Sequence, residues 1–259
     1  MREIGHLHQG IFVLRLVLNN SKIGLDPTPR QVMIHAASPR RGSRSHNMTT
    51  TSKPISQMMK ESCADLHEQA EHGPIPARMV SGQMTREEFI AMIQQGVLWN
   101  RALDVAILEF RAKSPYLKAL VDDAQLQGPY YDADLTHYGV KAAAEPSPGV
   151  AALCHDIEQA DPLTLLGLHY VREGANNGDR YVAKKLRTAW GVEGDDGFRS
   201  LDPYGENQRP RWEAFKTTLD AQPFSEEEKA MLVEAGRLMF NRIIAIHNDL
   251  AGQLELAGA

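Results

Sequence analysis

An all-α fold is predicted for this 259-residue chain by three observations. Apolar residues recur at three- and four-residue spacing through most of it, which puts them on one face of a 3.6-residue helix. Helix start signals, two of them capping boxes, stand at the heads of those runs. No convincing alternation of apolar and polar residues marks a strand, and no internal repeat is visible.

Taken in order, Met58, Met59, Ser62, Cys63, Leu66 and Ala70 share a face, so a first helix runs from about Ser52 and ends by Gly73-Pro74. Thr85 with Glu88 three residues on opens a long helix through Phe89, Ile93, Val97, Leu103, Ile107 and Phe110, closed by Ser114-Pro115. Shorter segments follow near 115 to 125 and 149 to 159. Tyr130-Tyr131, after Gly128-Pro129, read as loop packing. Asp161-Pro162 supplies an N-cap and a proline at the first helical position ahead of Leu165, Leu166, Leu168 and Val171. A run from Tyr181 stops after Trp190 at Gly191, and Gly, Asp and Pro punctuate a loop from 191 to 210. A helix over Arg211 to Leu219 comes next. Ser225 with Glu228 then caps a last periodic stretch through Leu232, Ala235, Leu238, Met239, Ile243, Ile246 and Leu250.

Composition narrows the class. With 42% hydrophobic and 24% charged residues the chain is globular in type, and its longest apolar run, Ile11 to Leu18, is interrupted by Arg15 and falls well short of the roughly 20 residues of a membrane span. Twenty-eight basic against 33 acidic residues, net −5, exclude a nucleic-acid binder that works by general phosphate neutralisation. Two cysteines, Cys63 and Cys154, form no CxxC pair and no extracellular disulfide pattern, so the expectation is a reducing, cytoplasmic setting. Residues 1–47 differ from the rest, carrying seven basic side chains and two acids. They read as a disordered extension or a start placed too early, with Met48 as the natural start; a targeting segment or a folded element are the alternatives. The expected architecture is a single multi-helix bundle over 48–259.

Two stretches draw attention for chemistry. His67 has Lys60 seven residues before it and Glu71 four after it, so on one helix all three project from a similar side. A carboxylate at that spacing can hold one imidazole nitrogen and fix the ring for iron ligation by the other; the plainer reading is a half-buried helix histidine with solvated neighbours. The second stretch, Arg172 to Asp179, lies within a continuous helical pattern yet carries Gly174 and Gly178. If the helix continues, the two glycines share a face and let a flat ligand approach the backbone; if it does not, Gly-Ala-Asn-Asn-Gly is ordinary turn chemistry. Trp99, Phe110 and Phe240 fall on apolar stripes and read as core, and Cys63 as a small buried hydrophobe.

These residues carry a resemblance to the heme oxygenase family. Lys60-Glu-Ser-Cys-Ala-Asp-Leu-His67-Glu-Gln-Ala-Glu71 is similar to its first heme-facing helix, with the iron-ligating histidine in H-x-Q-A-E, and Gly82-Gln-Met-Thr-Arg-Glu-Glu-Phe89 to the start of its second. Gly174 to Lys185 stands in the place of its kinked distal helix, G-D-x-S-G-G-Q, and Glu234 to Leu250 resembles its last helix; the resemblance spans about residues 52 to 255. It implies a heme-oxygenase-like bundle in which His67 ligates the iron and Glu71 supports it. Lys60 and Lys216 would meet heme propionates, and Gly174 and Gly178 would lie over the macrocycle. The family's aspartate after the first glycine is here Ala175, and its last glycine is Asp179, so Asn176, Asn177 or Asp179 would supply the distal hydrogen bonds. The implied activity is oxidative opening of heme to biliverdin, carbon monoxide and ferrous iron, with O2 and electrons from an external ferredoxin or reductase, since the chain has no dinucleotide-binding G-x-G-x-x-G.

Two alternatives share the fold. One is a catalytically altered member that binds or carries heme. The other is a non-heme iron protein drawing on His169, Glu173, Cys154-His155-Asp156-Ile157-Glu158 and His247-Asn248-Asp249, although the pair of Glu-x-x-His motifs that such a site takes is incomplete.

Overall fold

A computed structural model of the chain describes residues 53–256, and these carry ten α-helices, two short 3-10 turns and no strand. The segment 1–47 set apart by composition lies outside the described residues. The predicted first helix is two, α1 (Ile55–Ser62) and α2 (Ala64–Ala70), parted at Cys63, where ψ swings to 3°. Gly73-Pro74 ends that pair and also begins α3 (Pro74–Ser81), because a proline at N1 has no N–H to lose and has its φ already set for a helix. Gly82, at φ +76°, closes α3.

The Thr85 capping box forms as its spacing requires: Glu88 N–H donates to Thr85 Oγ1 at 3.2 Å, and Thr85 N–H donates to Glu88 Oε2 at 2.8 Å. It opens α4 (Arg86–Arg111). After α5 (Pro115–Leu120) and a 3-10 turn at Asp123–Gln125, α6 (Gly128–His137) takes in Tyr130 and Tyr131, so these lie on a helix and not in a loop. Gly128-Pro129 is again a helix start that reads as a turn. α7 (Pro148–Gln159) precedes α8 (Pro162–Trp190), whose N-cap Asp161 accepts from the N–H groups of Leu163 and Thr164. α8 runs unbroken for 29 residues, so Arg172 to Asp179 is helix. A second 3-10 turn at Gly205–Asn207 leads to α9 (Gln208–Asp220), and the Ser225 capping box opens α10 (Glu226–Gln253).

α8 and α10 form the spine. They approach so closely at Gly167 that a β-carbon there would lie 2.4 Å from Ala235 Cβ and 2.8 Å from Leu232 O. α4 rests on α6, α7 and α8, while α1 and α2 lean on α10 and α3 bridges α8 and α10. The buried apolar residues fall into two clusters. One gathers Leu103, Ile107, Leu153, Leu165, Leu166 and Leu232; the other gathers Phe89, Ile93, Val97, Val182, Leu186 and Phe198. Members of both clusters line one cavity. No helix among the described residues is long and apolar enough to cross a membrane.

Candidate functional site

The cavity has a volume of about 480 Å³, within the range of small-molecule sites. Helical periodicity explains its walls. α8 offers Val171, Ala175, Gly178 and Val182, and α10 offers Met239, Ile243, Ile246 and Leu250, each set spaced by four, three and four residues and therefore one continuous stripe. α2 contributes His67 and Ala70, with Glu71 at its C-cap; α3 adds Met79 and Val80; α4 adds Gly96, Trp99 and Asn100. Trp99 and Phe240, read from the sequence as core, face this space; Phe110 does not and packs on the core as expected.

His67 lies on the wall that α2 forms. Its side chain is 60% exposed, its Nδ1 sits 3.5 Å from Glu71 Oε1, and its ring meets the Phe240 ring edge-on with centroids 5.6 Å apart. Nδ1 is thus turned to the carboxylate, and Nε2 is left for a ligand. Lys60 does not share this setting: it stands on α1, across the break at Cys63 from α2, and is exposed outside the cavity lining. Lys216, on α9, is also outside the lining; its Nζ pairs with Glu213 at 3.1 Å and lies 5.6 Å above the Trp212 ring.

On α8 the structure separates residues that the sequence groups together. Gly174 faces α9, where its missing β-carbon leaves room for Trp212, 3.2 Å from where that atom would be. Asn177 is exposed and donates from Nδ2 to Gly174 O at 2.9 Å. Neither lines the cavity. Ala175, Asn176, Gly178 and Asp179 do, and a β-carbon on Gly178 would meet nothing within 4 Å. Of the two glycines only Gly178 faces the cavity, and at the first position it is Ala175 and not Gly174 that does.

The polar part of this wall is linked. Asn176 Nδ2 lies 3.4 Å from Glu173 Oε2, which accepts from Tyr204 Oη at 3.0 Å; burial raises the Glu173 pKa, and its Oε1 has no partner. Arg172 is buried and paired with Asp104 at 2.7 Å, with its other amine 3.1 Å from His169 Nδ1. Burial, helped by the Arg172 charge, holds His169 well below the ordinary imidazole pKa and so neutral. Asp179 makes no hydrogen bond among the described residues, and burial pushes its pKa up to about 7. Tyr131, from α6, lies close enough to Gly96 that a β-carbon there would come within 2.6 Å of its ring.

Sequence reasoning gave Asn100 no role and read Tyr131 as loop packing, and it named His247 only as a non-heme iron donor and Arg172 only as the start of the glycine-bearing stretch; all four line the cavity. The available signal was polarity on an apolar stripe: Asn100 and Asp104 are four apart among the core positions of α4. The non-heme donors disperse. His169 contacts Arg172 and Gln125, Glu173 holds Tyr204, Asp156 pairs with Arg242, and no group of three or more His, Cys, Asp or Glu placed to hold a metal ion occurs among the described residues.

Fold and site together define an all-α bundle built round a largely apolar cavity with a histidine on one wall and a linked polar group on another. A family model described as heme oxygenase matches residues 53–249, and the chain belongs to that family. Among solved structures, heme oxygenase-2 from Synechocystis in complex with heme and NO is similar at a TM-score of 0.71 and 18% identity, covering 78% of this chain and 87% of that one. Heme oxygenase-1 from the same cyanobacterium, in complex with heme, gives 0.69 and 15% over 78% and 95%. Heme oxygenase from Leptospira interrogans gives 0.69 and 17% over 75% and 98%. Identities this low establish likeness of fold. No curated protein sequence matches the chain.

Proposed function

We propose that the protein binds heme in this cavity, with His67 as iron ligand, and opens the ring oxidatively to biliverdin, carbon monoxide and ferrous iron. The observation that carries the reading is that His67 lies on the wall of a largely apolar cavity with its Nδ1 3.5 Å from Glu71 Oε1, so that Nε2 is the nitrogen free to ligate. A neutral imidazole oriented by a carboxylate is a suitable iron ligand, and the apolar stripes of α8 and α10 suit a macrocycle. Unpartnered Asn100 Oδ1 and the open space at Gly178, both on the cavity lining, fit a polar, uncrowded side for a bound ligand.

Heme, when bound, supplies both the substrate ring and the iron at which O2 is activated. The chain's own residues do the rest. Ala175 and Gly178 keep the α8 wall low enough for a ring to lie along it. Asn176, steadied by Glu173, and Asp179, half protonated near neutral pH, offer a hydrogen-bond donor and a proton on that wall in place of the aspartate that Ala175 replaces. Electrons come from an external ferredoxin or reductase. The second reading, heme binding without ring opening, is favoured by the absence of a polar side chain at Ala175.

One experiment separates the two. Purified protein is titrated with hemin, followed by absorption, and then supplied with a reductase system in air. A Soret band that decays into a biliverdin spectrum supports ring opening; a Soret band that persists supports binding alone; no Soret band overturns both.

A further inference from the structure

The cavity holds a second histidine, from α10. His247 lies seven residues beyond Phe240, whose ring touches His67, so it stands about 10 Å further along the same face of the helix. Its Nδ1 is enclosed and has no hydrogen-bond partner, and because the residue lines the cavity while Nδ1 is shut away, we take Nε2 as the nitrogen that meets the cavity. Burial alone pushes its pKa down to about 4, so the ring is neutral.

The tautomer follows from what each nitrogen can do. A proton on Nδ1 would be a buried donor with nothing to receive it, whereas a bare Nδ1 lone pair leaves only a weaker acceptor unsatisfied. The ring therefore carries its proton on Nε2, facing the cavity. That is the reverse of His67, where a carboxylate beside Nδ1 favours a proton there and frees Nε2 to ligate. The two histidines are prepared for different tasks: His67 for coordination and His247 for donation. The neighbours of His247 along its stripe, Ile243, Ile246 and Leu250, are apolar. A propionate carboxylate set against a neutral ring there, with no cation, would be poorly compensated, while a small polarised ligand fits.

We propose that His247 donates a hydrogen bond from Nε2–H to the diatomic ligand bound to heme on the side away from His67. The inference rests on the heme reading given above. It places a donor on α10, independent of the Asn176 and Asp179 wall on α8.

The test uses the full chain loaded with hemin, reduced, and bound to carbon monoxide or to O2, as wild type, His247→Phe and His247→Gln. Expected for His247→Phe are a higher C–O stretching frequency and O2 dissociation faster by about three- to tenfold, the weight of one hydrogen bond. His247→Gln, which keeps a donor, returns both toward wild type. An unchanged frequency and rate in His247→Phe with an intact Soret band overturns the inference and leaves the heme reading standing. A low-spin wild-type ferric spectrum that turns high-spin in His247→Phe also overturns it, by making His247 an iron ligand. Failure of the wild type to take up hemin overturns the heme reading itself, and this inference with it.

Discussion

At the scale of single residues, His67 and Asp179 make the sharpest predictions. His67→Ala is expected to abolish the wild-type ferric heme spectrum while leaving α2 intact, since alanine is the best helix former; hemin titration with circular dichroism checks both. Asp179 has a folded-state pKa near 7, above the ordinary carboxyl value of 3.8, so between those values the folded protein binds a proton that the unfolded chain has lost. Unfolding stability therefore falls as pH rises from about 4 to 7 and is flat above. Asp179→Asn is expected to remove that fall, raising stability at pH 8 by about 2 kcal/mol, discounted for the open cavity, with little effect at pH 4. Equal effects at both pH values in denaturant melts would show that the side chain is not buried as a charge. The His67–Glu71 pair was legible in the sequence because it lies within one helical turn. His247 and Tyr131 were not, because nothing local distinguishes a cavity-facing ring from a core or loop one.

At the scale of elements, caps were the most legible feature. Thr85 and Ser225 both form their predicted reciprocal bonds, and Thr85→Ala is expected to cost about 1 kcal/mol in chemical denaturation. Proline was ambiguous: Gly73-Pro74 reads as the end of a helix and Gly128-Pro129 as a turn, yet each starts a helix, which hid α3 and α6. Glycines in α8 divide by partner. Gly167 permits the closest approach to α10, so Gly167→Ala is expected to destabilise by roughly 1–3 kcal/mol through overpacking, read as a lowered denaturation midpoint. Gly174 makes room for Trp212 and Gly178 opens onto the cavity. One glycine type thus serves three ends, decided by what lies opposite.

At the scale of the molecule, the cavity draws residues from both core clusters: Trp99, Val171, Met239 and Ile246 from one, Met79, Val182, Leu201 and Leu250 from the other. A ligand that fills it joins the two. Hemin at a hundred times its Kd is expected to add about 2.7 kcal/mol to the stability of the full chain, seen as a rise in Tm, and His67→Ala to lose most of that rise. An unchanged Tm with hemin would disfavour occupancy of this cavity.

By itself the sequence determined the all-helical class, most helix ends, and the pairing of His67 with Glu71, because periodicity, capping and i,i+4 contacts are settled within a few residues of the chain. The rotation of α8 was decided only by tertiary structure. Whether Gly174 or Ala175 faces inward depends on where Trp212 of α9 and the stripe of α10 come to rest, and those contacts join residues tens of positions apart. The same holds for His247: its place on the helix is written in the periodicity, but its enclosed Nδ1 and its position on the cavity wall arise only when the bundle closes around it.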